Sequence, residues 1–218
     1  MPSVKVVDIL DRASILLQDA SNVRYPNAEL LKFFNDAQRE INLYRPDSTI
    51  TNATFACADG SKQELPAAAM RLADVTRNVN GTAITQVDRQ LLDESLPTWH
   101  ETVAGANGIE HFVYDPTDPK VFYVYPKAVS GTHSIHITYP ATISNITITS
   151  FASSTTTITV DDTYANALLD YIMYRCYQKD SEFAGNPQKA QMHYQMFANS
   201  IGIKTQGDAA VTPSPEAA

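Results

Sequence analysis

No stretch of this sequence reaches the roughly 18 consecutive apolar residues that a membrane-spanning helix needs, so no membrane partner is expected. The opening Met-Pro-Ser-Val-Lys-Val-Val-Asp lacks a basic region followed by a long apolar run, so it is not expected to act as a secretory signal. Cysteine is scarce. The two present, Cys57 and Cys176, stand far apart and outside any Cys-x-x-Cys spacing, which argues against a zinc site or a disulfide framework and for two buried free thiols. Glycine is scarce too: none of the 8 lies in a G-x-G-x-x-G or G-x-x-x-x-G-K context, so a phosphate-cradling loop is not expected. Only 18% of residues are charged and the formal net charge is −8, which argues against the phosphate-neutralising surface of clustered Lys and Arg that nonspecific nucleic-acid binding rests on.

What is there suffices for a core. The chain has 218 residues, 44% of them hydrophobic, enough to close one domain, or a domain with an insertion, without metal or disulfide staples. Thr, Ser, Asn and Ala leave much of the surface neutral and polar, a surface suited to protein contacts.

Periodicity divides the chain. Val6, Leu10, Ala13, Leu17 and Ala20 form one apolar stripe and predict a helix over about 4 to 20. Pro26 suits a first helical turn, and Leu30, Phe34, Ala37, Ile41 and Tyr44 predict a second helix ending before Pro46. Two such stripes cover each other only in part. Near the other end, Asp161 and Asp162 are N-cap candidates for a helix to about Ala184 with a stripe at Ala165, Leu169, Ile172 and Cys176. Gly185, Asn186 and Pro187 then predict a sharp corner, with Gly185 in the left-handed conformation, before a last helix carrying Ala190, Tyr194, Phe197 and Ile201.

The middle reads as strands. Asp59-Gly60 and Asn80-Gly81 predict two hairpins, "IEHFVYDPTDPKVFYVYP" a third, "HSIHITYP" a further strand, and the Ile/Thr runs at 143–149 and 156–160 two more, about seven or eight short strands in all. "AAAMRLA" and "DRQLLDES" read as short helical turns. The expected class is α+β: a helical bundle from both termini (1–47 and 161–203), a β-rich insertion (48–160) and a flexible C-terminal tail (204–218) with Pro213 and Pro215.

No residue set carries a catalytic signature. Cys176 and His193 invite a thiolate–imidazole pair, yet no nucleophile motif surrounds Cys176, which instead extends an apolar stripe. His133 and His136 are three apart on an expected strand and point to opposite faces, so they do not chelate one metal. No metal or cofactor is expected. Tyr171, Tyr174 and Tyr177 suit either a protein interface or the wet margin of a core. Trp99, beside His100 in "LPTWHET", either anchors its loop or meets a partner. Two other readings stay open: a carbohydrate- or peptide-binding module using the aromatic strands around Tyr123 and Tyr125, and a hydrolase using carboxylates such as Asp93 and Glu94.

In order and spacing the sequence resembles the adaptor, or head-to-tail connector, proteins of tailed bacteriophages of the short-tailed type. The resemblance is carried by "ILDRASILLQDASNVRYPNAELLKFFNDAQREINLYRPD", "KQELPAAAMRL", "VTRN", "LPTWHE", "HFVYDPTDPKVFYVYP" and "LLDYIMYRCYQKDSEFAGNPQKAQMHYQMF". It implies a structural virion protein rather than an enzyme, made in the host cytoplasm. It also implies a homo-oligomeric ring of about twelve copies between portal and tail or nozzle proteins, with DNA passing through unbound. Trp99, His100, Tyr171, Tyr174, Tyr177, Lys204, Pro213 and Pro215 are the candidate interaction residues, and the tail after Lys204 is expected to reach toward the portal.

Overall fold

The structure, a computed structural model, describes residues 2–104 and 108–211, with side chains described to residue 202. In chain order its elements are α1 (Val6–Leu16), α2 (Asn27–Tyr44), β1 (Ile50–Ala56), β2 (Gly60–Glu64), β3 (Asp74–Asn78), β4 (Thr85–Gln86), α3 (Arg89–Ser95), β5 (His111–Tyr114), β6 (Val121–Ala128), β7 (Ser134–Pro140), α4 (Ala165–Lys179) and α5 (Asn186–Val211). Helices and sheets are both extensive, an α+β chain. Two compact units result: Met1–Ser48 with Ile143–Ala218, and Thr49–Thr142.

In the first unit the predicted stripes meet. Val6, Leu10 and Ala13 of α1, Leu30, Phe34, Ala37 and Ile41 of α2, Leu169, Ile172 and Cys176 of α4, and Phe197 and Ile201 of α5 belong to one buried cluster. Burying each of the larger side chains stabilises the fold by about 1.5–3 kcal/mol. α1 is shorter than the stripe suggested: Gln18 takes a left-handed backbone (φ 56°), which ends the helical path, and Ala20 is exposed. The link to α2 is organised by Asp19, whose carboxylate accepts from the backbone N–H groups of Val23, Arg24 and Tyr25 at 3.0, 2.9 and 2.8 Å.

The predicted caps are used differently. Asp161 accepts from Thr163 N–H at 2.9 Å and caps a short 3-10 turn ahead of α4. Asp162 instead clasps the chain's first residues, accepting from the N–H of Ser3 at 2.9 Å, its hydroxyl at 2.6 Å and the N–H of Val4 at 3.1 Å. Those donors, the Ser3 hydroxyl foremost, hold the Asp162 carboxyl below its usual range. α4 stops at Lys179, and Gly185 is not among the residues with positive φ. Asn186 Nδ2 donates to the Asp180 carbonyl at 2.9 Å, so an asparagine bond shapes the corner where a left-handed glycine was expected.

The Ile/Thr runs at 143–149 and 156–160 form no strand, and they belong to the helical unit. Their apolar residues are drawn into the helical core: Ile158 and Val160 are buried there, and Ile143, Ile146 and Ile148 pack against it. The second run makes one antiparallel bridge, Lys5 to Thr157, with Val6 N–H donating to the Thr156 carbonyl at 2.9 Å and Ile158 N–H to the Val4 carbonyl at 3.0 Å, and other backbone groups of the two runs go to helix side chains. Asn35 clasps Ile146 both ways, Nδ2 to its carbonyl at 3.0 Å and its N–H to Oδ1 at 2.9 Å, and the Thr159 N–H donates to Gln38 Oε1 at 2.8 Å.

The second unit holds two sheets, ordered β1-β7-β3 and β2-β6-β5-β4. The alternation of β6 and β7 sends Phe122, Val124, Ile135 and Ile137 into one core shared by both sheets. The aromatic hairpin is β5–β6, with His111 opposite Tyr125 and Tyr114 opposite Phe122. Asp59-Gly60 makes no hairpin: β1 pairs with β7 and β2 with β6, so this turn carries the chain from one sheet to the other. The Asn80-Gly81 turn closes with one bridge, Arg77 to Ala83, after which β4 pairs in parallel with β5. "DRQLLDES" does form α3, with Asp88 capping Gln90 N–H at 2.7 Å, whereas "AAAMRLA" is a turn held by Ala69 N–H to Pro66 carbonyl at 2.8 Å.

Candidate functional site

The seam between α4 and α5 gathers the residues that looked chemical. Tyr171 is buried, with its ring edge-on to Phe197 at 5.1 Å and to Tyr174 at 5.6 Å between centroids. Tyr174 and Tyr177 are half-buried. Tyr174 meets Tyr194 at 5.1 Å, Tyr177 stacks on His193 at 5.7 Å, and Lys189 Nζ lies 5.3 Å from the Tyr177 ring centroid. The tyrosines recurring every third residue thus line the margin of the helical core.

Cys176 does not pair with His193. Its thiol is fully buried and is pushed up to about 12 by burial, so it stays protonated and unreactive at neutral pH. His193 Nδ1 faces Asp170 Oδ1 at 3.0 Å instead, an α4–α5 tie with both side chains largely covered. At the corner, Tyr25 OH donates to Asp180, and Arg24 Nε sits 2.8 Å from the same carboxylate, joining the α1–α2 link to the α4–α5 corner. Lys179 and Glu29 add a 2.8 Å ion pair.

A groove of about 350 Å³ opens along this seam, floored by Tyr174, Tyr194, Pro187 and Ala190 and flanked by Gln178 and Gln191. Tyr194 is held protonated to about 12 by its hydrogen bond with Tyr44 and by burial. No sequence signal marked Asp170 or Asp180, and the stripe that named Tyr194 did not show its place in the groove, because their partners lie on other elements. The helical unit also leaves large apolar residues in solvent: Met192 and Met196 one turn apart on α5, Phe183 at the corner, and Val23, which is 79% exposed.

In the second unit Trp99 is buried, 1% exposed, among Leu92 and Val113. Its Nε1–H donates to Asp93 Oδ1 at 2.8 Å, and His100 stacks on its ring at 3.7 Å while its Nδ1 lies 2.7 Å from Ser61 Oγ. Trp99 therefore anchors its loop, and His100 is the exposed member of the pair. The Asp93 carboxyl is held below its usual range, first by that indole bond and then by Arg89, the opposite of what a general acid needs. An open groove of about 780 Å³ runs past Val87, Arg89, Tyr114, Asp115 and Tyr123. Tyr125 stacks on His111 at 6.1 Å with planes 8° apart. His133 is buried and takes Val129 N–H at 3.0 Å, and His136 lies 3.5 Å from Thr54 Oγ1. Among the described residues no three His, Cys, Asp or Glu side chains converge as metal ligands. Lys204 lies on α5; its side chain, Pro213 and Pro215 fall outside the described residues.

A family model described as SU10 adaptor protein matches residues 4–216, taking in both helical ends and the β-rich middle. The chain belongs to the SU10 adaptor family. No curated protein matches it. Membership makes it a structural protein of a bacteriophage particle, one that oligomerises and meets portal and tail components. The family is structural and generally non-enzymatic. No described helix is long and apolar enough to cross a membrane.

Proposed function

We propose that this SU10 adaptor forms the ring that joins the portal to the tail of a short-tailed phage, about twelve copies to a ring. The observation that carries the reading is the family match across nearly the whole chain, helical ends and sheet unit in one span. α1, α2, α4 and α5 act as one bundle built from both termini, and bundles stand side by side around the channel. The exposed Met192 and Met196 supply apolar area for lateral contact. The sheet unit faces the tail or nozzle. A net charge of −8 suits a channel through which DNA passes, because like charge weakens adhesion to phosphates.

The test is to mix the purified chain with the portal ring of the same phage and follow assembly by size-exclusion chromatography with light scattering. A complex with about twelve adaptor copies per portal ring is expected. A chain that stays monomeric and leaves the portal's elution unchanged, with the helical unit folded by circular dichroism, overturns the reading.

A further inference from the structure

We propose that the α4–α5 groove is a proline-recognition site, occupied on assembly by the Pro213–Pro215 stretch of a neighbouring copy. The inference rests on the ring reading above and adds the contact that links one subunit to the next.

The groove has the chemistry of such a site. Tyr174 and Tyr194 present adjacent ring faces 5.1 Å apart between centroids, and the exposed amides of Gln178 and Gln191 flank them. Proline-rich segments dock on aromatic-lined grooves because the polyproline II helix is stiff before binding and leaves its carbonyls free to accept hydrogen bonds. With three residues per turn such a segment is a three-edged prism that rests on two edges. In Thr-Pro-Ser-Pro-Glu, residues 212–216, the two prolines fall on different edges, so one face of the prism carries both.

Reach decides whose segment binds. α5 runs unbroken to Val211. At ~1.5 Å per residue the end of the helix lies ~32 Å from Ala190 in the groove, whereas Pro215 stands four residues past Val211, at most ~14 Å of extended chain. A copy cannot fill its own groove. A segment that follows Val211 therefore reaches such a groove only on another copy.

The experiment uses two full-length single-cysteine additions, Gln178→Cys in the groove wall and Ser214→Cys in the segment. Each is mixed with the other under mild oxidation in the presence of the portal ring. The native Cys57 and Cys176 are buried and do not compete. A disulfide-linked adaptor pair is expected on non-reducing gels, lost when Pro213 and Pro215 are both changed to Ala, with the assembled mass measured in the same samples. Rings that form without the cross-link overturn this inference and leave the ring reading standing. A link within one chain in the doubly substituted protein, or a link from position 214 to a portal subunit in place of an adaptor, also overturns it. Absence of both ring and link removes the two together.

Discussion

Trp99 donates its indole N–H to Asp93 across one turn of chain beyond α3, at 2.8 Å. That bond fixes the loop after α3 over Val113 and presents His100 to solvent on top of the ring. Because Trp99 is the one tryptophan of the chain, its emission reports the sheet unit alone.

Truncating Trp99 to Ala is expected to destabilise the sheet unit by about 3–5 kcal/mol, the range for a large buried aromatic. Asp93 adds a pH dependence. Its folded carboxyl titrates below the unfolded value of about 3.9, so the contribution is complete above that pH and is lost as pH falls through the folded value. Acid titration followed by tryptophan emission is expected to show a red shift at the acid limb. In Asp93→Asn that acid-dependent component disappears. An unchanged acid limb in the variant would remove Asp93 from the account.

The two thiols give the opposite sign. Burial raises Cys57 to about 11 and Cys176 to about 12, so folded thiols stay neutral where unfolded ones ionise. Between about pH 8.5 and those values the unfolded chain binds fewer protons than the folded one. Stability from these groups is therefore full below pH 8.5 and falls as pH rises. Both thiols are expected to resist a disulfide reagent at pH 8 in the folded protein and to react fully in denaturant. Rapid labelling of either thiol without denaturant contradicts their burial.

Gly108 sits at φ +82°, and a Cβ there would lie 2.6 Å from Asn78 Oδ1. Asn78 clasps Ile109 from both sides, accepting its N–H at 3.0 Å and donating Nδ2 to its carbonyl at 2.6 Å. Gly108→Ala combines the left-handed penalty of about 1–2 kcal/mol with a disturbed buried hydrogen-bond pair. Chemical denaturation is expected to show a loss of about 2 kcal/mol or more. A neutral result would mean the loop and Asn78 shift apart without penalty.

Asn35→Ala removes both bonds that hold Ile146 against α2. A loss of about 1–3 kcal/mol is expected in denaturant melts of the helical unit, with Trp99 emission unaffected. A matching loss in the tryptophan signal would show that the two units unfold together.

The apolar stripes told most about the helices, because a 3.6-residue repeat is a local property that burial acts on directly. α2 ends before Pro46 as expected, and Phe34, Ile172 and Phe197 are in the core, whereas the stripe ends Ala20 and Tyr44 are exposed. The β5–β6 hairpin was legible for the same reason. What failed was pairing at a distance. Ile143, Ile146 and Ile148 alternate as a strand does, yet nothing in their sequence says that Asn35, more than a hundred residues earlier, will take the backbone bonds a strand would have made. Asp59-Gly60 makes its turn, but a turn signal cannot say whether the strands it joins share a sheet. At the candidate site, Tyr171, Tyr174 and Tyr177 could be named from spacing. Their partners Tyr194, Phe197 and His193 come from α5, and whether a tyrosine faces the core or a neighbour depends on that helix.

α1 and α2 share their buried cluster with α4 and α5, which are translated last. On the ribosome their apolar stripes therefore stay open until α4 and α5 emerge, while Thr49–Thr142, with a core of its own, can close in the meantime. The nascent chain thus has its sticky half finished late, and a host chaperone that shields Phe34 and Ile41 for those seconds would raise the yield of assembly-ready protein.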